Sequence, residues 1–203
     1  MSPSAIDERL LAAAEAGDLD GIARALADGA DPDALDTAGT PAVMVATIAR
    51  RTDALRALLE AGADVNAQDA TLDNPFLYAG REGLLDILRM ANEAEADPTI
   101  TNRFGGVALI PASERGHVEV VRYLLNETDI DVDHVNRLGW TALLEAILLS
   151  DGGPRHQEIV EMLLENGADP DLADGDGVRP LTHARTRGQT EIVALLEAAD
   201  ARP

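Results

Sequence analysis

The segment Leu58–Asn66 reads LLEAGADVN, in which the apolar end of a helix runs into a Gly-Ala-Asp turn. Related four-residue turns begin at residues 29, 62, 95, 129 and 167, so successive copies lie 33, 33, 34 and 38 residues apart. A second anchor, an Asp or Asn followed three residues later by Gly, keeps step with the first at Asp36, Asn102, Asn136 and Asp174. A period near 33 residues indicates a protein built from stacked repeats.

Each repeat has the same local pattern of a turn and two helices. The Asx-x-x-Gly anchor suits a tight turn with a positive φ at its glycine, and a residue such as Thr141 just after it suits a helix start. The second helix carries apolar residues at three- and four-residue spacing, as in Val120, Val121 and Leu124. One such helix pair cannot bury its apolar face alone, so the pattern predicts an all-α stack of about six helix-turn-helix units.

We assign the six repeats to residues 1–35, 36–68, 69–101, 102–135, 136–173 and 174–203. We expect them to form one elongated domain, with the first and last repeats acting as caps. Aromatic residues make up only 2% of the chain, which predicts a thin core of small and aliphatic side chains.

Composition excludes several classes of function. The chain has 37 acidic and 16 basic residues, a net charge of −21, so binding to bare nucleic acid or to anionic membranes is not expected. It has no Cys, which removes disulfides, cysteine metal sites and catalytic thiols. We see no secretory signal and no apolar run long enough to span a membrane, and we expect a cytoplasmic monomer.

The chain resembles the ankyrin-repeat family. The residues that carry the resemblance are Gly39-Thr40-Pro41, Leu58–Asn66, Gly116–Val121 (GHVEVV) and Gly188–Val193 (GQTEIV). The match runs from about Ala5 to Ala198, and the chain is similar to small stand-alone bacterial ankyrin proteins. The resemblance implies an ankyrin solenoid of antiparallel helix pairs linked by β-hairpin-like fingers. It also implies that fingers and first helices line a concave surface that binds another protein.

Positions at which the repeats differ are the candidates for function. The turns of repeats 4 and 5 carry Arg103-Phe104 and Arg137, with Trp140 following, and Arg, Trp and other aromatic anchors are frequent at binding hot spots. Arg also collects in the fingers and first helices of repeats 4 to 6, which predicts a basic strip that favours anionic groups on the partner. The alternative is that each Arg pairs with an acidic neighbour one repeat away.

A second set of departures lies in the first helices. One position that is Met44 in repeat 2 becomes Tyr78, then a proline, Glu145 and His183 in the following repeats. We expect Pro111 to lie inside its helix, where it removes a hydrogen bond and can kink the helix. Tyr78, Glu145 and His183 could line a polar pocket together with Ser113 and Glu114, which supports the alternative function of a small-molecule receptor or unrecognised enzyme. The competing interpretation is a half-exposed column satisfied by solvent.

Repeat 5 is longer than the others, and the extra residues fall in Ser150–Arg155, a loop between its two helices. They could form a ligand loop or a tolerated surface insertion. His117 and His156 occupy the same repeat position, so a scaffold role explains them. We find no sequence motif for catalysis, phosphate binding or a metal, and we expect no enzyme activity, cofactor or metal.

The sequence therefore predicts a non-catalytic module that binds another protein, of unknown identity, on the concave face of repeats 3 to 5. A purely structural role in a larger assembly is a further alternative. The predicted binding residues are Tyr78, Arg103, Phe104, Glu114, Arg137, Trp140, Glu145, Arg155 and His183.

Overall fold

A computed structural model of the chain describes residues 3–202, and within them it contains twelve helices and no extended strand. Each of the six predicted repeats holds two helices, so the all-α prediction is confirmed. The helices are α1 (Ala5–Ala16), α2 (Leu19–Ala27), α3 (Ala42–Ile48), α4 (Thr52–Glu60), α5 (Pro75–Glu82), α6 (Leu85–Glu93), α7 (Leu109–Glu114), α8 (Val118–Glu127), α9 (Ala142–Leu148), α10 (Pro154–Glu165), α11 (Pro180–Thr186) and α12 (Thr190–Ala198).

The contacts of the chain divide it into two compact units. The N-terminal unit extends to Ala79 and includes Leu85–Asp97, and the C-terminal unit consists of Gly80–Leu84 and the chain from Pro98 onward. In the N-terminal unit α1 packs on α3, and α2 and α6 both pack on α4. In the C-terminal unit α9 packs between α7 and α11, and α10 packs between α8 and α12. Within each unit, first helices therefore stack on first helices and second helices on second helices.

The two helices of a repeat are buried to different extents because their sequences differ. In α9 every residue from Ala142 to Ile147 is buried, whereas α8 buries only Val120, Val121 and Leu124. This spacing of three and four residues gives α8 one apolar face and leaves the other in solvent. The core is mainly aliphatic, with Phe76 as its largest fully buried side chain.

The fingers are built by side-chain hydrogen bonds. In finger 5 (residues 136–140), Asn136 Oδ1 accepts the backbone N–H groups of Leu138 at 2.9 Å and Trp140 at 3.1 Å. The Asn136 N–H donates to the Trp140 carbonyl, which closes the loop, and Gly139 has the predicted positive φ of 78°. The same backbone closure defines finger 2 (residues 36–40), finger 3 (69–73), finger 4 (102–106) and finger 6 (174–178). Within residues 3–202, the only β-bridge joins Leu35 and Pro41.

The prediction that Pro111 removes a hydrogen bond inside its helix is wrong. Helix α7 begins at Leu109, so Pro111 occupies the first turn. Backbone N–H groups in a first turn have no partner within the helix, and proline therefore removes no helical hydrogen bond there.

Polar side chains near the start of the second helices join each of repeats 4, 5 and 6 to the one before it. The His117 ring lies 3.0 Å from the Arg81 carbonyl and the His156 ring 3.0 Å from the Glu114 carbonyl. In repeat 6 the same place is taken by Gln189, whose Nε2 donates to the Ile147 carbonyl at 3.0 Å. Each side chain therefore caps the end of the preceding first helix, and the scaffold role of the two histidines is confirmed.

The inserted loop of repeat 5 is fixed by hydrogen bonds. Gly152 is buried, and its carbonyl accepts a bond from Gln157 Nε2 at 2.7 Å. Arg187 of repeat 6 donates to the Ser150 carbonyl at 3.2 Å. A Cβ at Gly152 would lie 2.7 Å from Gln189 Cγ, so the loop fits closely against repeat 6. No helix in the described part of the chain is long and apolar enough to cross a membrane.

Candidate functional site

Finger 4 exposes an aromatic side chain beside a cation. Phe104 is 53% exposed, and the Arg103 guanidinium carbon lies 4.8 Å from the centre of its ring. Asn102, itself buried, holds the backbone below them by accepting the N–H groups of Phe104 and Gly106. Stacking over the ring restricts the guanidinium while leaving its outer N–H groups in solvent.

Finger 5 is bonded directly to finger 4. The Arg137 N–H donates to the Phe104 carbonyl at 2.9 Å, and Arg137 Nη1 donates to the Arg103 carbonyl at 2.9 Å. Leu138, the residue equivalent to Phe104, is 57% exposed. The two fingers therefore present two apolar side chains and two guanidinium groups on one hydrogen-bonded segment. We call Arg103, Phe104, Arg137 and Leu138 the fingertip cluster.

The proposed pairing of these arginines with acidic neighbours is wrong. Within residues 3–202, neither Arg103 nor Arg137 lies within 4.0 Å of a carboxylate. The alternative holds for Arg115 in the basic strip, which pairs with Glu82 of the preceding repeat at 3.0 Å. Arg185 pairs instead with Glu197 of its own repeat at 2.7 Å. Arg115 and Arg185 of the strip are therefore neutralised within the chain, whereas the two fingertip arginines are not.

Glu145 is buried, contrary to the half-exposed interpretation. Only 6% of the residue is exposed, and its Oε1 accepts a hydrogen bond from Asn136 Nδ2 at 2.8 Å. Burial raises the pKa of Glu145 to about 7, and the charge of Glu114 adds to this effect, while the bond from Asn136 opposes it. Glu145 therefore titrates near neutral pH while contacting the residue that shapes finger 5.

His183 has the corresponding arrangement in repeat 6. Its Nε2 lies 2.7 Å from Oδ2 of Asp174, the residue that forms the turn of finger 6. The interval from turn residue to helix residue is nine in both pairs, Asn136 to Glu145 and Asp174 to His183. The same interval from Asp36 gives Val45, so the assignment of Met44 to this column was wrong by one residue. Met44 is fully buried.

The other predicted residues have separate positions. Trp140 closes finger 5 through its backbone and is half-buried. Tyr78 is half-buried in α5 and belongs to the N-terminal unit, whereas Glu145 and His183 belong to the C-terminal unit. Arg155 is exposed on the first turn of α10.

A polar pocket around Glu145 and His183 receives little support. One polar atom of each side chain, Oε1 of Glu145 and Nε2 of His183, is bonded to a finger residue of its own repeat. Cavities of about 680 and 340 Å³ lie elsewhere, the first against α10 and α12 and the second against α1 and α2. No cluster of His, Asp and Glu able to hold a metal ion occurs within the described residues.

Leu138 was missed among the predicted binding residues. The signal was present in the sequence, because Leu138 follows Arg137 as Phe104 follows Arg103. The repeat alignment alone placed both at the same point of a finger.

Comparison with known proteins identifies the family. Models of ankyrin repeats match residues 10–102, 76–174 and 154–197. The putative ankyrin repeat protein YahD of Escherichia coli is 46% identical over 191 residues, which cover 94% of this chain and 95% of that protein. Human cyclin-dependent kinase 4 inhibitor B is 36% identical over 123 residues, covering 60% of this chain and 88% of that protein.

Solved structures agree with this assignment. An ankyrin repeat domain from Acinetobacter baumannii has a TM-score of 0.92 and 53% identity, covering 95% of this chain and 98% of that one. The ankyrin repeat protein EF0377 has a TM-score of 0.89 and 38% identity, covering 94% of this chain and 97% of that one. The chain belongs to the ankyrin-repeat family, whose members are typically non-enzymatic modules for protein–protein interaction.

Proposed function

We propose that this chain is a non-catalytic binding module that holds a partner protein on the fingertip cluster and the adjoining first helices. One observation carries the proposal. Two large apolar side chains and two guanidinium groups without carboxylate partners share one hydrogen-bonded segment of a protein whose net charge is −21. The chain has more than twice as many acidic as basic residues, yet these two arginines form no ion pair that could stabilise the fold. Their position beside exposed apolar groups therefore favours a role in binding a partner.

The arrangement favours a partner that carries carboxylates or phosphates near an apolar side chain. Phe104 and Leu138 can bury apolar area, which supplies affinity, and Arg103 and Arg137 can orient anionic groups through their outer N–H donors. The ring of Phe104 and the carbonyl of Arg103 hold the two guanidinium groups in position. Less side-chain entropy is therefore lost on binding.

We propose that other predicted residues contribute to this binding surface or support it. Trp140 on finger 5 and Glu114 on α7 lie in the same C-terminal unit, and the buried Glu145 of α9 supports finger 5 from below through its bond to Asn136. His183 and Arg155 are flanking contacts in the same unit. Human cyclin-dependent kinase 4 inhibitor B is named for acting on another protein, which is consistent with this class of function.

The test is affinity capture from the cells that make the protein, with wild type and a variant carrying Arg103→Ala and Arg137→Ala. We expect the double variant to lose the captured partner while its circular dichroism spectrum is unchanged. The matched control carries Arg24→Ala and Arg56→Ala, which remove the same charge from exposed positions of α2 and α4. Capture of the same partner by the double fingertip variant at physiological salt would refute the assignment.

A further inference from the structure

The second helices of repeats 4 to 6 each contain a pair of adjacent apolar residues, and the positions just before and just after that pair are equivalent in the three repeats. The pairs are Val120-Val121, Ile159-Val160 and Ile192-Val193. The residue before the pair is acidic in all three repeats: Glu119, Glu158 and Glu191. The residue after the pair changes along the series from Arg122 to Glu161 to Ala194. Because second helices stack on second helices, these positions meet at each interface.

At the interface between α8 and α10 the opposite charges meet. Arg122 Nη2 donates to Oε1 of Glu158 on the next helix, and Arg122 Nε lies 3.9 Å from Glu119 on its own helix. One guanidinium therefore bridges two second helices and offsets two carboxylates.

At the next interface, between α10 and α12, the cation is replaced by an acid. Glu161 stands in the place of Arg122, and Glu191 in the place of Glu158. Within residues 3–202 neither carboxylate pairs with an Arg or His side chain. Glu191 accepts a hydrogen bond from Thr190 Oγ1, which lowers the pKa of Glu191 and keeps it ionised.

The two carboxylates lie on the same shallow groove, which is open to solvent. Glu161 and Glu191 both line the cavity of about 680 Å³ between α10 and α12. Pro154, Ala194 and Leu195 form its apolar lining. An apolar groove with unpaired negative charge at its edge is complementary to a chain segment that carries both an aliphatic and a cationic side chain.

We propose that the groove between α10 and α12 binds a cationic amphipathic segment of a partner protein. An Arg or Lys of that segment takes, between Glu161 and Glu191, the place that Arg122 fills one interface earlier. An aliphatic side chain of the same segment packs on Pro154 and Leu195. This surface lies on the second helices and is independent of the fingertip cluster.

The probe is a 15-residue capped peptide that forms an amphipathic helix with Leu and Arg at three- and four-residue spacing. Binding is measured at physiological salt by calorimetry and by amide chemical shifts. We expect the shifts to fall on α10 and α12. A second peptide, with each Arg replaced by Gln, should bind about fivefold more weakly, since an exposed ion pair contributes about 1 kcal/mol.

Two variants separate the groove from general electrostatic attraction. Glu161→Arg supplies the missing cation from within the chain, as Arg122 does, and should weaken peptide binding about fivefold. Glu60→Arg changes the net charge by the same amount at the exposed end of α4 and should change binding less than about twofold, because distant charges are screened. Circular dichroism confirms that both variants fold.

Four results would overturn the proposal. Three of them are equal weakening by both variants, chemical shifts that fall outside α10 and α12, and no binding by the wild-type protein at millimolar peptide. Equal competition by free argininamide, at the same concentration as the peptide, would also overturn it, because the apolar contacts would then contribute nothing.

Discussion

Replacing Glu145 with Gln should remove a pH-dependent loss of stability. Burial is the main reason that the pKa of Glu145 rises from its ordinary 4.5 to about 7 in the folded protein. The folded state therefore binds this proton more tightly than the unfolded state. Below about pH 4.5 both states are protonated, and stability falls as the pH rises from 4.5 to about 7. The shift corresponds to about 3 kcal/mol above pH 7.

The measurement is urea unfolding from pH 4 to pH 8, followed by circular dichroism and by the fluorescence of Trp140, the single tryptophan. Gln at position 145 keeps an acceptor for Asn136 Nδ2 and carries no charge. Between pH 4 and pH 8, the stability of Glu145→Gln relative to wild type should rise by about 3 kcal/mol. Glu114→Gln should give a smaller change of the same sign, because the charge of Glu114 also raises the pKa of Glu145. Glu60→Gln, at an exposed position, should give none. A change below about 1 kcal/mol for Glu145→Gln would refute the reasoning.

Other expected outcomes concern the fingers and the joints between repeats. Gly139→Ala should lower the free energy of unfolding by more than about 1 kcal/mol, because φ is 78° and the new Cβ would meet a backbone nitrogen of finger 6 at 2.8 Å; an unchanged urea midpoint would contradict this. Leu72→Gly should raise the free energy of unfolding by about 0.5–1 kcal/mol, since Leu72 occupies the position of the turn glycine in finger 3 and has a φ of 60°. A lower urea midpoint would show that the side-chain contacts of Leu72 outweigh the backbone strain. His156→Ala should lower the melting temperature by leaving a helix-end carbonyl unbonded, whereas His156→Gln should restore it, as glutamine does at this place in repeat 6; equal melting temperatures for the two variants would argue against the capping role. Asp133→Asn should stabilise the protein at neutral pH and low salt, because burial and neighbouring carboxylates raise the pKa of Asp133 and so disfavour its charged form. Asparagine can keep the hydrogen bond that Asp133 accepts from the next repeat, since Asn66 accepts the same bond in repeat 2. This gain should shrink in 1 M salt and below pH 4 as the repulsion is screened or the carboxylate is protonated.

The sequence alone determined the repeat architecture. Its period, the Asx turn residues and the spacing of apolar residues are local signals, and each repeat contains all of them. That redundancy is why the helix pairs, the positive φ of Gly139 and the capping role of His117 and His156 were predictable from residue types and intervals. The departure at Leu72 was also visible, because the neighbouring repeats provided the comparison.

Only the tertiary structure decided which charges stay unpaired and which polar groups are buried. Arg115 and Arg103 are both arginines of repeat 4, yet Arg115 meets Glu82 of repeat 3 while Arg103 stacks on its own neighbour. The burial of Glu145 depends on the packing of α9 between α7 and α11. These outcomes depend on side chains about one repeat away in sequence, whose positions are fixed by helix packing. A local pattern specifies the residue at each position, but the electrostatic environment of that residue exists only once the neighbouring repeats have been stacked.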